Sequence, residues 1–396
     1  MTTRHHTHAG VAALLAMTMA LAPLAIDTYL PAFPVIAGHL GVSVHQVSLS
    51  ISVYVFMLAL GQLVGGTLSD HHGRAPIMLS GLAIFAVASL LISQVSALPE
   101  LLLLRALQAF GGGWAAVCVP ALVRDRLSGR EAARFFSLIG LLMVGAPALA
   151  PSIGSLLLGQ FGWTSIFLFT GVYALVVLGL LKRLVFRHYQ RPLPAERVST
   201  LARYRAVLAT RPALRFMLTG ALAFSVMMLF ITHASFIYQE HFGVGPTRFA
   251  LLFGANVMLM LVMNLLNRRL LHRHAPERIL RWALTAQGGG IILLLAVLAL
   301  RPELAFFVPA MVIAVGTLGA VSPNIQACYM EFFPQNGGTA AALMGATQFS
   351  LAGLISAASA LLQESVTAIV LAMGGCSLLC LLLVWTHKLP EPPTAR

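Results

Sequence analysis

Uncharged apolar runs of about twenty residues recur along almost the whole of this chain. A helix rises about 1.5 Å per residue, so each run can cross a hydrocarbon core of roughly 30 Å. In lipid, only helices and closed barrels satisfy their backbone polar groups internally. The ten-residue alternating segments of a barrel are not visible. The expectation is therefore an all-α integral membrane protein of about twelve spans, starting near Val11, Val47, Pro76, Leu101, Ala132, Thr164, Ala213, Thr247, Arg281, Leu304, Thr339 and Val366. A cleaved signal peptide competes for the first run, because Arg4 precedes it. That run outlasts signal-peptide length, however, and similar runs follow.

Composition excludes a soluble domain. The 396 residues are 59% hydrophobic and 9% charged, where soluble domains carry about a quarter charged residues. A net charge of +13 would suggest nucleic acid in a soluble protein, but here its placement decides. With the N-terminus inside, Arg248 and Arg301 are the only cations in outer loops, and Arg105 is the only one deep in a span. That asymmetry obeys the positive-inside rule and places both termini in the cytoplasm. The basic charge is read as a topology signal with some attraction to anionic lipid, and no nucleic-acid partner is expected. Cys118, Cys328, Cys376 and Cys380 lie in or at the ends of spans and are read as small apolar residues.

The longest polar stretch is central. Residues 181–216 hold nine Lys or Arg and three Pro, with six spans before and six after. The expected organisation is a cytoplasmic tail at 1–10, a six-helix bundle at 11–185, a basic cytoplasmic linker at 186–212, a second bundle at 213–387 and a tail at 388–396. Thr200 to Leu208 reads as an interfacial helix. GTLSDHHGRAP (66–76) and NRRLLHRHAPER (267–278) are short basic loops six spans apart. Such a repeat of two similar bundles is a transporter architecture with its site near the midplane.

Four stretches bear mechanism. LAIDTYLPAFP (24–34) sets Asp27 in the first span, where an acid costs about 2.5–3.5 kcal/mol on insertion scales. Two readings stand: a proton or cation site past the midplane, or a helix-end acid at the outer interface ahead of Pro31 and Pro34. In GTLSDHHGRAP, Gly66 is expected to allow close backbone approach and Gly73 a tight turn, with Asp70 and Arg74 paired four apart. Such a pair can lock or release helix ends. In LLLLRALQAFGGGWAAV, Arg105 needs a partner or a wet cavity, or else snorkels to the interface; Gln108 shares its helix face. The glycines at 111–113 let another helix pack closely. In VGAPALAPSIGSLL (144–157), Gly145, Pro147, Pro151 and Gly154 suggest a bent, tightly packed helix.

Together these stretches resemble the bicyclomycin/chloramphenicol-resistance (Bcr/CflA) branch of drug:proton antiporters in the major facilitator superfamily, over essentially the whole chain. IDTYLPAFP is similar to that branch's first-helix signature, with Asp27 in the acidic position. GTLSDHHGRAP resembles the superfamily loop between helices two and three, with His71 where Arg is usual and Ala75 where Arg or Lys is usual. RALQAFGGG resembles the fourth-helix motif whose Arg, here Arg105, is implicated in proton coupling. GAPALAPSIG resembles the fifth-helix antiporter motif. Asp125, in VRDRLSGRE, falls where the family has an acid that joins the loop network.

The resemblance implies two pseudo-symmetric six-helix bundles working by alternating access in a bacterial inner membrane, with protons entering as substrate leaves. Asp27 and Arg105 are then the proton-coupling residues. Gly66, Asp70, Gly73, Arg74, Asp125, Gly145, Pro147, Pro151 and Gly154 serve conformational gating. Polar residues within spans supply the expected substrate pocket: Tyr29, Tyr54, Gln108, His233, Asn256 and Gln348. The expected partners are a small molecule, protons and lipid; the energy source is the proton gradient, with no cofactor or metal, and the unit is a monomer. A transporter of one metabolite is the alternative on the same fold. A membrane-embedded enzyme is disfavoured, for the sequence has no HExxH, no GxSxG and no paired intramembrane acids. An ATP-driven pump would need a GxxxxGK[ST] loop, which the sequence lacks.

Overall fold

Prolines interrupt the first span where the acid sits. In the computed structural model, α1 (Thr2–Asp27) ends at Asp27, and a short 3-10 turn at Leu30–Ala32 leads into α2 (Phe33–Leu40). Pro31 has no N–H to donate four residues back, which removes the hydrogen bond that would carry α1 past Asp27. The Ala32 N–H donates to the Tyr29 carbonyl instead, at 2.9 Å. The membrane-length stretch nevertheless runs on, from Val11 to Leu40. Backbone is described for residues 2–126, 129–187, 200–333, 337–359 and 365–386, and side chains for 11–123, 145–187, 204–333, 339–359 and 365–386.

The remaining helices follow the apolar runs. They are α3 (Val44–His72), α4 (Arg74–Ile92), α5 (Leu98–Arg126), α6 (Gly129–Phe161), α7 (Thr164–Leu180), α8 (Thr200–Ala209), α9 (Arg211–Ser235), α10 (Pro246–Leu270), α11 (Pro276–Leu300), α12 (Leu304–Gly316), α13 (Leu318–Met330), α14 (Gly337–Ser359) and α15 (Val366–Trp385). Eleven membrane-length stretches occur among the described residues, and α12 with α13 forms one of them. The long α6 supplies the expected fifth span, although the side chains of its first half lie outside the described residues. Among the described residues there is no strand. Large apolar side chains point outward, with Leu103 62%, Leu251 70% and Leu300 80% exposed, as lipid-facing helices require.

Local chemistry explains several helix ends. Ser43 caps α3: the Gln46 N–H donates to its Oγ at 3.2 Å, and the Ser43 N–H donates to Gln46 Oε1 at 3.0 Å. α3 stops at Gly73, whose φ of +95° suits a residue without Cβ. Two π-helical segments follow α7 and α9, at Leu181–Val185 and Phe236–His241.

By contacts the chain divides into two compact units. The first comprises Met1–Glu196 and Thr232–Gly254, and the second Arg197–Ile231 and Ala255–Arg396. In the first, α5 packs against α3 and α4 along a glycine seam. A methyl at Gly113 would lie 2.6 Å from the Leu58 carbonyl oxygen, and one at Gly111 2.5 Å from that of Gly81. The three glycines therefore serve helix–helix approach on two sides. In the second unit, α11 packs against α12, α13 and α15. There Asn324 Nδ2 donates to Asn267 Oδ1 at 2.6 Å, and Arg215 pairs with Glu277 at 3.3 Å. All four cysteines are free and buried.

Two expectations need correction or placement. Close backbone approach was expected at Gly66, but the nearest atom to a methyl there is Val117 Cγ2 at 3.5 Å, an ordinary contact. The close approach falls one residue earlier: a methyl at Gly65 would lie 2.8 Å from Trp114 Cα, because this neighbour points at α5. The Asp125 side chain, linker residues 188–199 and the C-terminal tail lie outside the described residues.

Candidate functional site

Asp27 closes α1 in the middle of the first span and is 3% exposed. It is therefore both at a helix end and buried. Its Oδ1 is buried and has no hydrogen-bond donor among the described residues. The next residue turns back, with the Thr28 hydroxyl donating to the Leu24 carbonyl at 2.5 Å. α6 presses on this break. A methyl at Gly154 would overlap the Thr28 carbonyl, so only glycine lets the two backbones meet there. The sequence grouped Gly154 with Gly145, but a methyl at Gly145 would meet nothing within 4 Å. α6 runs through Pro147 and Pro151 as one helical element.

Arg105 lies in the second turn of α5 and is fully buried, so it does not snorkel. Its Nη1 donates to the Ala25 carbonyl at 3.1 Å and to Gln108 Oε1 at 2.6 Å. It thus reaches α1 two residues before Asp27 and binds backbone there. Gln108 passes the contact to α4, its Nε2 donating to Ser89 Oγ at 2.7 Å. The Arg105 Cζ lies 4.5 Å from the Tyr29 ring centre and 4.3 Å from that of Tyr54. Tyr29 is tethered to α3 by a short hydrogen bond between its hydroxyl and Ser50 Oγ. Arg105 Nε and Nη2 and the Tyr54 hydroxyl have no hydrogen-bond partner among the described residues. Buried donors in that state are costly.

Of the expected pocket residues, Tyr29, Tyr54 and Gln108 gather around Arg105. His233 is placed elsewhere in the same unit. It is fully buried and stacks on His45, with ring centres 5.2 Å apart and planes 20° apart. Nearby along the chain, Gln239 in the π-helical segment donates to the Leu30 carbonyl at 3.2 Å, just beyond the break. Asn256 and Gln348 belong to the second unit, Asn256 buried on α10 and Gln348 beside Gly220 on α9. The 66–76 stretch, expected as a loop, is helical on both sides of Gly73 and holds its expected pair: Arg74 Nη1 meets Asp70 Oδ1 at 2.5 Å and also donates to Ser69 Oγ at 2.6 Å. The Asp70 side chain is 59% exposed. Ser50, Ser89, His45 and Gln239 were not foreseen. A polar residue in or beside an apolar run was the signal for each, but only packing shows which atoms meet.

The Major Facilitator Superfamily matches residues 15–357. A bicyclomycin resistance protein homolog of Haemophilus influenzae is 30% identical, covering 91% of this chain and 92% of the relative. A chloramphenicol resistance protein of Pseudomonas aeruginosa is 30% identical over 77% and 73%. The multidrug resistance protein MdtL of Citrobacter koseri is 27% identical over 92% and 93%. Among solved structures, that of a D-xylose-proton symporter superposes with a TM-score of 0.76 at 13% identity, covering 95% of this chain and 97% of the symporter. At that identity the likeness speaks for the fold.

Proposed function

This chain belongs to the major facilitator superfamily, as a multi-pass protein of a bacterial inner membrane, and from that premise we propose that it is a proton-coupled drug exporter. It is a transporter rather than an enzyme. Its substrates are small lipophilic compounds of the chloramphenicol or bicyclomycin kind, in keeping with what its relatives are named for. Both termini are cytoplasmic and the working unit is a monomer.

One observation carries the proton-coupled part. Asp27 is a buried acid at a helix break in the middle of the first span, with no ion-pair partner among the described residues. An acid so placed is costly unless its protonation state serves the cycle. Deprotonated Asp27 favours loading from the cytoplasm or lipid. Protonation from outside releases substrate, and the proton leaves inside on return. Arg105, hydrogen-bonded to the backbone of the same helix, senses movement of the break. The Asp70–Arg74 pair and Gly73 join α3 to α4 and set how those ends separate.

The test is proton flux in proteoliposomes loaded with a pH dye. Chloramphenicol added to wild type should drive proton release, and Asp27→Asn should not respond. Equal coupled flux from Asp27→Asn would remove Asp27 from the mechanism. Saturable movement of one metabolite, with no response to chloramphenicol or hydrophobic cations, would replace drug export with metabolite transport.

A further inference from the structure

Arg105 is held in an unusual way for a buried cation. Its Nη1 donates to the Ala25 carbonyl and Gln108, and the guanidinium also lies beside the Tyr29 hydroxyl. Its Nε and Nη2 point into buried space without acceptors among the described residues. Those two N–H groups form one edge of the guanidinium fork, the edge that takes an acceptor in bidentate fashion. What holds the plane is aromatic. The Tyr29 and Tyr54 rings lie within 4.5 Å of Cζ, inside cation–π range.

The two tyrosines are anchored differently. The Tyr54 hydroxyl has no partner among the described residues, so its ring face is its contribution. Tyr29 lies at the start of the 3-10 turn, two residues past Asp27, and its hydroxyl is tied to Ser50 on α3. A change in the break therefore moves a ring that rests on Arg105. We propose that Tyr29 and Tyr54 are positioning residues for Arg105: their ring faces keep the Nε–Nη2 edge open to an arriving acceptor, and Tyr29 links that edge to the break at Asp27. This rests on the exporter reading above.

The test compares Tyr→Leu with Tyr→Phe at each position, in proteoliposomes with chloramphenicol as the added compound. Loss of one desolvated cation–π contact should lower coupled proton flux roughly tenfold in Tyr54→Leu and Tyr29→Leu. The change should fall on kcat, with KM held. Phenylalanine should rescue position 54 almost fully, and position 29 in part, because the tether from the Tyr29 hydroxyl to Ser50 is lost while Ser50 keeps its bond to the Val47 carbonyl. A second readout guards against misfolding: the Arg105 Nε–H resonance of labelled protein in nanodiscs should shift when either ring is removed, through loss of ring current. Leucine variants matching wild type in flux would overturn the positioning role. An unmoved resonance would overturn the aromatic hold itself, whatever the flux. Phenylalanine as damaging as leucine would shift the role to the hydroxyls and overturn the proposal. Wild type that moves no protons with any compound would defeat the exporter reading, while the resonance would still decide whether the rings hold Arg105.

Discussion

Replacing Gly154 by alanine should separate α6 from the break in α1. The added methyl would overlap the Thr28 carbonyl oxygen and lie 2.6 Å from the carbonyl carbon and 3.0 Å from Cα. Ordinary carbon–oxygen contacts are about 3.3 Å or longer, so the helices must part by more than about 1 Å. The obstruction is backbone, which cannot rotate aside as a side chain can. Overpacking costs typically 1–3 kcal/mol, and this site belongs at the upper end, about 3 kcal/mol. At about 2.1 cal/mol/K per residue over 396 residues, that is a fall in Tm of roughly 4 °C. Gly145→Ala is the internal control on the same helix. Nothing lies within 4 Å of its new methyl, and better helix propensity should raise stability by about 0.5–1 kcal/mol. The four buried free cysteines provide the assay, since a thiol-reactive dye reports their exposure as the protein unfolds on heating. If Gly154→Ala melts together with Gly145→Ala, α6 does not press on the break and the account of this contact is wrong.

The same logic separates two adjacent glycines of α3. Gly65→Ala should destabilise by about 1–3 kcal/mol because its methyl meets Trp114 backbone, while Gly66→Ala should be close to neutral, as thermal unfolding would record. Asn267→Ala should cost about 1–3 kcal/mol, because it strips the Asn324 amide of a buried acceptor. Asp70→Asn should change Tm little, since an exposed ion pair is worth about 0–1 kcal/mol, yet it should slow transport if the pair gates helix movement. Asp27→Asn should abolish substrate-driven proton release while leaving the protein folded, read by pH dye and thermal unfolding together.

Much of the fold was legible because lipid imposes one rule on every span. Each needs about twenty apolar residues and must satisfy its own backbone, so length and hydropathy alone reveal α3, α7 or α15. Punctuation was equally local. Ser43 with Gln46, Gly73, and Pro31 after Asp27 act through their own backbone neighbours. Gly66 shows where such reasoning stops. Neighbouring glycines look alike in sequence, and which one faces α5 depends on the rotation of α3, which no local signal specifies.

Asp27 and Arg105 stand out in the sequence for the same reason, since charge in an apolar run is costly wherever the helix packs. The sequence by itself therefore determined the helical membrane class, about a dozen spans of which eleven occur among the described residues, and where charge falls inside them. Only the tertiary structure decided what those residues touch. Arg105 could have met Asp27, yet it binds the Ala25 carbonyl and Gln108 and rests on two tyrosine rings. Tyr29 and Tyr54, expected in the pocket, pack on a cation, and Gly154 and Gly145 read as equivalent but only one meets a neighbouring backbone. Hydropathy is a sum along one segment, whereas these contacts join residues up to 126 positions apart, so they depend on helix rotation and approach that appear only once the helices pack.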